Sequence, residues 1–426
     1  MIATNQWQTE YGRTVHAAAK AGLIRIVNIL LDKGANVNAK CGFYGNALQA
    51  ASYEGKLEVV NLLLDNGANV NAQGGHYGNA LQAVSYQGNP DIFKLLVNRG
   101  ADVNAEGGDY GDALQAASYK GNLEIVKLLL DKGADVNVQG GDHGDALQAA
   151  SYRGNLEIVK LLWDEANEII QHCDDGDLLE PVPYEGNHHL LFDRGTDLNA
   201  QSGHYHNALQ NASYHGNLHI VKLLLDKGAD VNAQGGHYGN ALQAALIWDH
   251  LDIVNLLLDK GVDVSAQGGH YGNALQTASF KGNLQAVNLL LDKGVDINAQ
   301  NGHYGNALQA TSFGGYLEIV NVLLEKGANV NAQGGQYGCA LQAASYQGNV
   351  EIVQLLLDKG AGVNVEGGVC QNAIRAALFG DHFDIFDLLY DRSVNVNAQG
   401  DDCGTVLPAV AFGDDGNIFK LHINYF

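Results

Sequence analysis

At 426 residues the chain exceeds the roughly 100–200 of one compact domain, so it is either several domains or one repeat array. With four Pro and one Met there is little room for linkers, and a copied module is favoured. The formal charge of -23 speaks against nucleic acid as a partner, because phosphate binding draws its affinity from clustered Lys and Arg; a basic partner fits better.

The opening "MIATNQWQTEYGRT" has neither the basic nor the apolar part of a secretory signal, and no later window nears 18 consecutive apolar residues. Five cysteines (Cys41, Cys173, Cys339, Cys370, Cys403) lie without CxxC spacing, which suits a reducing compartment; a cytoplasmic or nuclear location without a membrane is expected. Cys370 and Cys403 stand one copy apart, roughly 8–10 Å between packed helices, beyond the ~7 Å that a disulfide spans.

Along the chain "GGHYGNALQ" recurs unchanged from Gly74, Gly235 and Gly268, and its Tyr column runs through Tyr11, Tyr44, Tyr77, Tyr110 and His143, then Tyr205, Tyr238, Tyr271, Tyr304 and Tyr337, then Cys370 and Cys403. The step is 33 everywhere except between His143 and Tyr205, where 62 residues stand for the 66 of two copies. In the copy from Tyr110, Asp112 is placed to cap a short Ala-rich helix from Ala113 to about Tyr119, which Gly121 stops. Asn122 is expected to cap a second helix from Leu123 to about Lys132, ended by a left-handed Gly133. Its apolar stripe reads Leu123, Val126, Leu129 and Leu130. Pro90 fits the first turn of the equivalent helix after Asn89. Neither helix of such a pair buries its faces alone, so identical neighbours must stack.

The period, the Ala-rich first helix and "GNLEIVKLLLDKGADVN" together resemble the ankyrin repeat family over nearly the whole chain. The wording departs from the family in having Asn-Ala-Leu-Gln where Thr-Pro-Leu-His is usual; Asn caps like Thr, and Gln reaches backbone much as His would. Copies this alike are similar to the ankyrin arrays of filamentous fungi, which often end larger receptor-like proteins. The resemblance implies an all-α solenoid of about 12–13 helix-turn-helix units with hairpin loops, and a concave groove lined by hairpin tips and the first helices. By position that groove includes His76, Gly78, Ala83, Tyr86 and Gln87 and their equivalents.

The chemistry of these residues weighs toward binding. The Gly-rich loop matches neither phosphate-cradling motif and brings no Lys to the helix start. His76, His204, His237, His270 and His303 form one column, but a metal needs ring nitrogens about 2 Å from one ion, and no carboxylate companion stands in the pattern. Asp, Ser and His recur in every copy instead of converging, unlike an enzyme's residues. No cofactor or metal is expected. An aromatic column (Tyr53, Tyr86, Tyr119, Tyr152, Tyr214, Phe280, Phe313, Tyr346, Phe379) serves either as interface or as packed helix end. The next residue varies freely: Glu54, Gln87, Lys120, Arg153, His215, Lys281, Gly314, Gln347. It is either diversified for recognition or tolerant of solvent.

From Asp164 to Arg194 the pattern fails, with nine acids against one Arg, and with Pro181 and Pro183 where the Ala-rich helix belongs. The chain thus divides into a stack over 1–165, a degenerate repeat or acidic hinge over 166–195, and a stack over 196–426 whose last repeat, ending "NIFKLHINYF", is incomplete. The expected function is a non-catalytic scaffold for a protein or extended peptide; a spacer or sensor arm of a larger assembly is the alternative, an enzyme or metal protein the weakest. The oligomeric state stays open.

Overall fold

The computed structural model describes residues 13–164, 197–201 and 207–397, with side chains to residue 392. Among these residues the chain is all-α, with only isolated bridges such as Gly334 to Gly338 closing the hairpin tips. It falls into two compact units, Met1–His237 with Asn255–Lys260, and Tyr238–Val254 with Gly261–Phe426. That division lies at His237, away from 166–195.

The copy from Tyr110 shows how the sequence builds a unit. Asp112 is extended (φ -129°), its side chain accepts from Gln115 N at 2.7 Å, and Gln115 Oε1 accepts from Asp112 N at 3.1 Å, a reciprocal cap for helix Ala113–Lys120. Gly121, at φ 89°, ends it, and helix Leu123–Asp131 follows, stopped by Gly133 at φ 79°. The first helix buries Ala113 to Ser118 without a gap, which only thin Ala-rich helices allow when neighbours press on both sides. The second buries Ile125, Val126 and Leu129, while Leu123 and Leu130 of the expected stripe are only half-buried. Each of the three contributes about 2 kcal/mol of apolar burial before chain entropy is counted. Pro90 opens helix Pro90–Asn98, where Asn89 accepts from Ile92 N.

Within each unit the copies are clipped together by residues that look local in sequence. Asn122 does not cap its helix; its amide nitrogen donates to Ser85 O and Tyr86 O of the preceding copy, both at 2.7 Å. Asn155 and Asn349 do the same to Ser118 and Ser312, whereas Asn89 and Asn283 do cap. Gln82 points forward instead, donating to Ala105 O and Gly111 O at 2.8 Å. Asn104 accepts from Asp135 N of the next loop at 2.9 Å. The tips form a main-chain ladder, His76 N to Phe43 O, Asp109 N to His76 O and Asp142 N to Asp109 O, at 2.8–2.9 Å. Exposed pairs such as Arg99 with Asp65 add little, about 0–1 kcal/mol each.

Where a glycine stands ahead of the capping Asn, both its φ and its space require it. At Gly78 (φ +85°) an added Cβ would fall 1.9 Å from Gln82 Oε1 and 2.7 Å from the Gly107 backbone. Asp249, Gln371 and Asp381 hold left-handed conformations at φ 62°, 66° and 59° in places where sister copies have Gly282, Gly338 and Gly348. Ser393 stands where Gly360 stops the previous copy, and helix Phe383–Asn397 accordingly runs on to 15 residues instead of nine.

The expected hinge and the C-terminal residues Ile418, Phe419, Leu421 and Phe426 lie outside the described residues. The two sides of the hinge segment can be described. Helix Ala146–Arg153 packs on Ala208–Tyr214. Gln148 donates to Ala200 O at 2.8 Å and Asn217 to Ser151 O at 2.8 Å, while Asp197 N donates to Asn137 Oδ1 at 3.3 Å. These bonds span 52, 66 and 60 residues where sister copies span 23, 37 and 31, a constant surplus of 29. The flanking copies bond as nearest neighbours.

Candidate functional site

The face built by hairpin tips and first-helix ends carries the residues singled out in the sequence. Gln87, Lys120, Arg153, His237, His270 and Gln347 are exposed on it; His76, Tyr86, Tyr119, Tyr152, Tyr214, His215, Lys281 and His303 are half-buried; His204 lies outside the described residues. Gly78 and Ala83, expected in the groove, are buried, Ala83 completely, because each first helix is flanked by two others.

The aromatic column and the loop Tyr column interleave into one ring ladder in each unit. In the first, centroids run Tyr44–Tyr53 5.1 Å, Tyr53–Tyr77 4.8 Å, Tyr77–Tyr86 5.2 Å, Tyr86–Tyr110 4.9 Å and Tyr110–Tyr119 5.3 Å, continuing through His143 and Tyr152 to His215. In the second the order is Tyr271, Phe280, Tyr304, Phe313, Tyr337 and Tyr346, at 4.6–5.4 Å. Offset rings at such distances hold one another beyond their area burial. Burial, and then the neighbouring ring of Tyr53 or Tyr86, pushes the Tyr77 and Tyr110 phenols far up; burial takes Tyr304 up to about 12. Tyr77, Tyr110 and Tyr304 are structural rungs with neutral hydroxyls.

Three residues of the variable column, Lys120, Arg153 and His215, lie over the aromatic of the preceding copy. Lys120 Nζ sits 5.0 Å from the Tyr86 centroid, Arg153 Cζ 5.1 Å from Tyr119, and the His215 ring 4.0 Å from Tyr152. Lys281 Nζ lies between Trp248 at 5.5 Å and Phe280 at 5.7 Å. Lys120 with Tyr86 and Arg153 with Tyr119 stand one period plus one residue apart, and His215 with Tyr152 the same with the surplus added, whereas Lys281 and Trp248 stand one period apart.

The His column is less isolated than its sequence pattern implied. Asp109 stands in the same column one copy after His76, and its Oδ2 meets His76 Nδ1 at 2.6 Å, while the His76 ring stacks on Phe43 at 4.5 Å. His270 and His303 stack at 4.8 Å, and burial, then the charge of His303, lowers the His270 pKa. Among the described residues no three His, Cys, Asp or Glu are gathered as ligands for one ion. Cys339 and Cys370 are buried free thiols, and burial raises both pKa values. Two buried carboxyls, Asp112 and Asp145, take cap positions that Asn fills elsewhere; burial pushes each up to about 7 against the pull of backbone N–H groups from Gln115 and Gln148.

A stacked array with a patterned helix-end face defines a repeat protein of the helix-turn-helix class. The family model for ankyrin repeats (3 copies) matches residues 3–74, 80–174, 184–268, 269–334 and 307–400, so the chain belongs to the ankyrin repeat family. Only 175–183, holding Pro181 and Pro183, fall between matches in the broken segment. No curated protein matches the chain. Ankyrin repeats generally mediate protein–protein interaction and are typically non-catalytic. Among the described residues no helix is long and apolar enough to cross a membrane.

Proposed function

We propose that the chain is a non-catalytic scaffold that binds a protein or an extended peptide on the face of hairpin tips and first-helix ends. One observation carries this. The Ala-Leu-Gln stretch of each first helix, copied almost unchanged, is buried and bonded to neighbouring copies, while the residue that changes most from copy to copy projects from the helix-end face of its own unit, with Gln87, Lys120 and Arg153 exposed in the first and Gln347 in the second. Aromatic and Arg side chains, which dominate interface hot spots, sit beside it.

Selection of binders from a displayed peptide library against the full chain tests the reading. Lys120→Glu with Arg153→Glu should weaken a binder that seats on the first unit by about tenfold or more, since two charges on the contact face reverse. A library that yields no binder favours the spacer role; binders indifferent to every exposed residue of this face move the site elsewhere.

A further inference from the structure

We propose that the rings of Phe313, Tyr346 and Phe379 form a docking strip for an extended basic segment of a partner protein, seating one lysine or arginine per ring. The inference rests on the reading that this face binds protein, and it names the partner's chemistry. The first unit supplies the precedent, because there the chain itself places a cation on the rings: Lys120 over Tyr86 and Arg153 over Tyr119, at 5.0 and 5.1 Å. In the second unit the staggered position opposite Phe313 is Gln347, and opposite Tyr346 it is Gly380, so neither ring receives a charge from the next copy. Gly380 is held to glycine by space, since an added Cβ would fall 2.3 Å from the Tyr346 carbonyl oxygen. Phe379, one period further along the same sequence column, is 69% exposed. A ring face that attracts cations, on a chain of formal charge -23, suits Lys and Arg better than any other side chain.

Geometry narrows the partner further. The Phe313 and Tyr346 centroids are 6.5 Å apart. An extended chain advances roughly 3.3–3.4 Å per residue and turns alternate side chains to one face, so every second residue recurs at about 6.7 Å. The Phe313–Tyr346 spacing therefore matches a Lys-x-Lys step and mismatches a block of the same charge.

Fluorescence anisotropy with the full chain and three labelled peptides, KTKTKTK, KKKKTTT and ETETETE, tests this. The alternating peptide should bind at least about fivefold tighter than the block, and the acidic one not at all, with roughly threefold per ring as the expected contribution of an exposed cation–aromatic contact. Gln347→Lys, an exposed change that supplies the cation from within, should weaken the alternating peptide about threefold. Phe313→Leu with Tyr346→Leu should weaken it about tenfold, with thermal unfolding recorded to show that the array stays folded. Equal binding of the two basic peptides, or binding indifferent to Gln347→Lys, would mean bulk charge attraction and overturn the proposal. Absence of binding by either basic peptide overturns it too, yet leaves the scaffold reading standing if library-selected binders are released by the Lys120 and Arg153 substitutions.

Discussion

The joint at Gly78 and the joint at Gln371 occupy the same place in the repeat and differ instructively. At the first, Gly78 is left-handed, Gln82 Oε1 accepts from Asn79 N at 2.7 Å, and Gln82 Nε2 reaches two carbonyls of the next loop. At the second, Arg375 replaces the Gln, Asn372 still caps by accepting from Arg375 N at 2.9 Å, and Gln371 has taken the glycine's place at φ 66°. The Gly and the Gln are linked, since the amide takes room a Cβ would fill; the left-handed φ and the Gly107 backbone, 2.7 Å from that Cβ, hold glycine at Gly78 as well.

Substitutions at these joints sharpen the contrast. The largest effect is expected from Asp112→Asn, which gives a Gly-Gln joint the neutral cap of its sisters. Asp112 has an ordinary pKa of 3.8 and is pushed up to about 7 when folded, so between those values the native state holds a proton that the unfolded chain has lost. Stability therefore falls as pH rises through that window, by on the order of 1.4 kcal/mol for each pH unit crossed, and stays low above it. Thermal unfolding at pH 4.5 and 8 should show Asp112→Asn raising stability by on the order of 3 kcal/mol at pH 8 and little at pH 4.5; an equal gain at both would show that the carboxyl is ionised throughout.

Next, Gln82→Ala should destabilise by about 2–3 kcal/mol, since it removes three hydrogen bonds, to Ala105 O, to Gly111 O and from Asn79 N, and leaves a cavity where a buried side chain stood. Gly78→Ala should cost a similar amount alone and less in the Gln82→Ala background, where the amide no longer lies 1.9 Å from the new Cβ while the Gly107 backbone still lies 2.7 Å from it. Additive losses in urea unfolding would break the pairing argument. Gln371→Gly, relieving a left-handed side chain where no Gln amide competes, should stabilise by about 0.5–1 kcal/mol. The smallest effect is expected from excising residues 165–193. That joins Asp164 to Arg194, reads "LLWDRGTDLNA", removes the surplus of 29 and restores the 33-residue step. A stability change within about 1 kcal/mol fits copies that already bond across the segment; a collapse of the first unit would show that the segment supports the stack.

The architecture was legible because each copy repeats its own punctuation: the capping Asn or Asp, Gly121, Gly133 and Pro90 all do what local rules require. What local rules misassigned were side chains with two possible partners. Asn122 has the spacing of a cap and spends its amide on Tyr86, and nothing within one copy distinguishes those choices. Asn104 and Asp109 went unread for the same reason, their partners being in adjacent copies. The varied column was visible, but its seat over the preceding ring is set by how adjacent copies stack.

The main-chain rungs between hairpin tips carry one more consequence. Since His76, Asp109 and Asp142 are fixed by their own N–H and carbonyl groups, the pitch of the tips is independent of what their side chains are. Phe43, His76, Asp109, Gln336 and Val369 accordingly share one column with little in common. Such a lattice behaves like movable type: a single letter can be exchanged without resetting the line, so new specificities are reachable one substitution at a time.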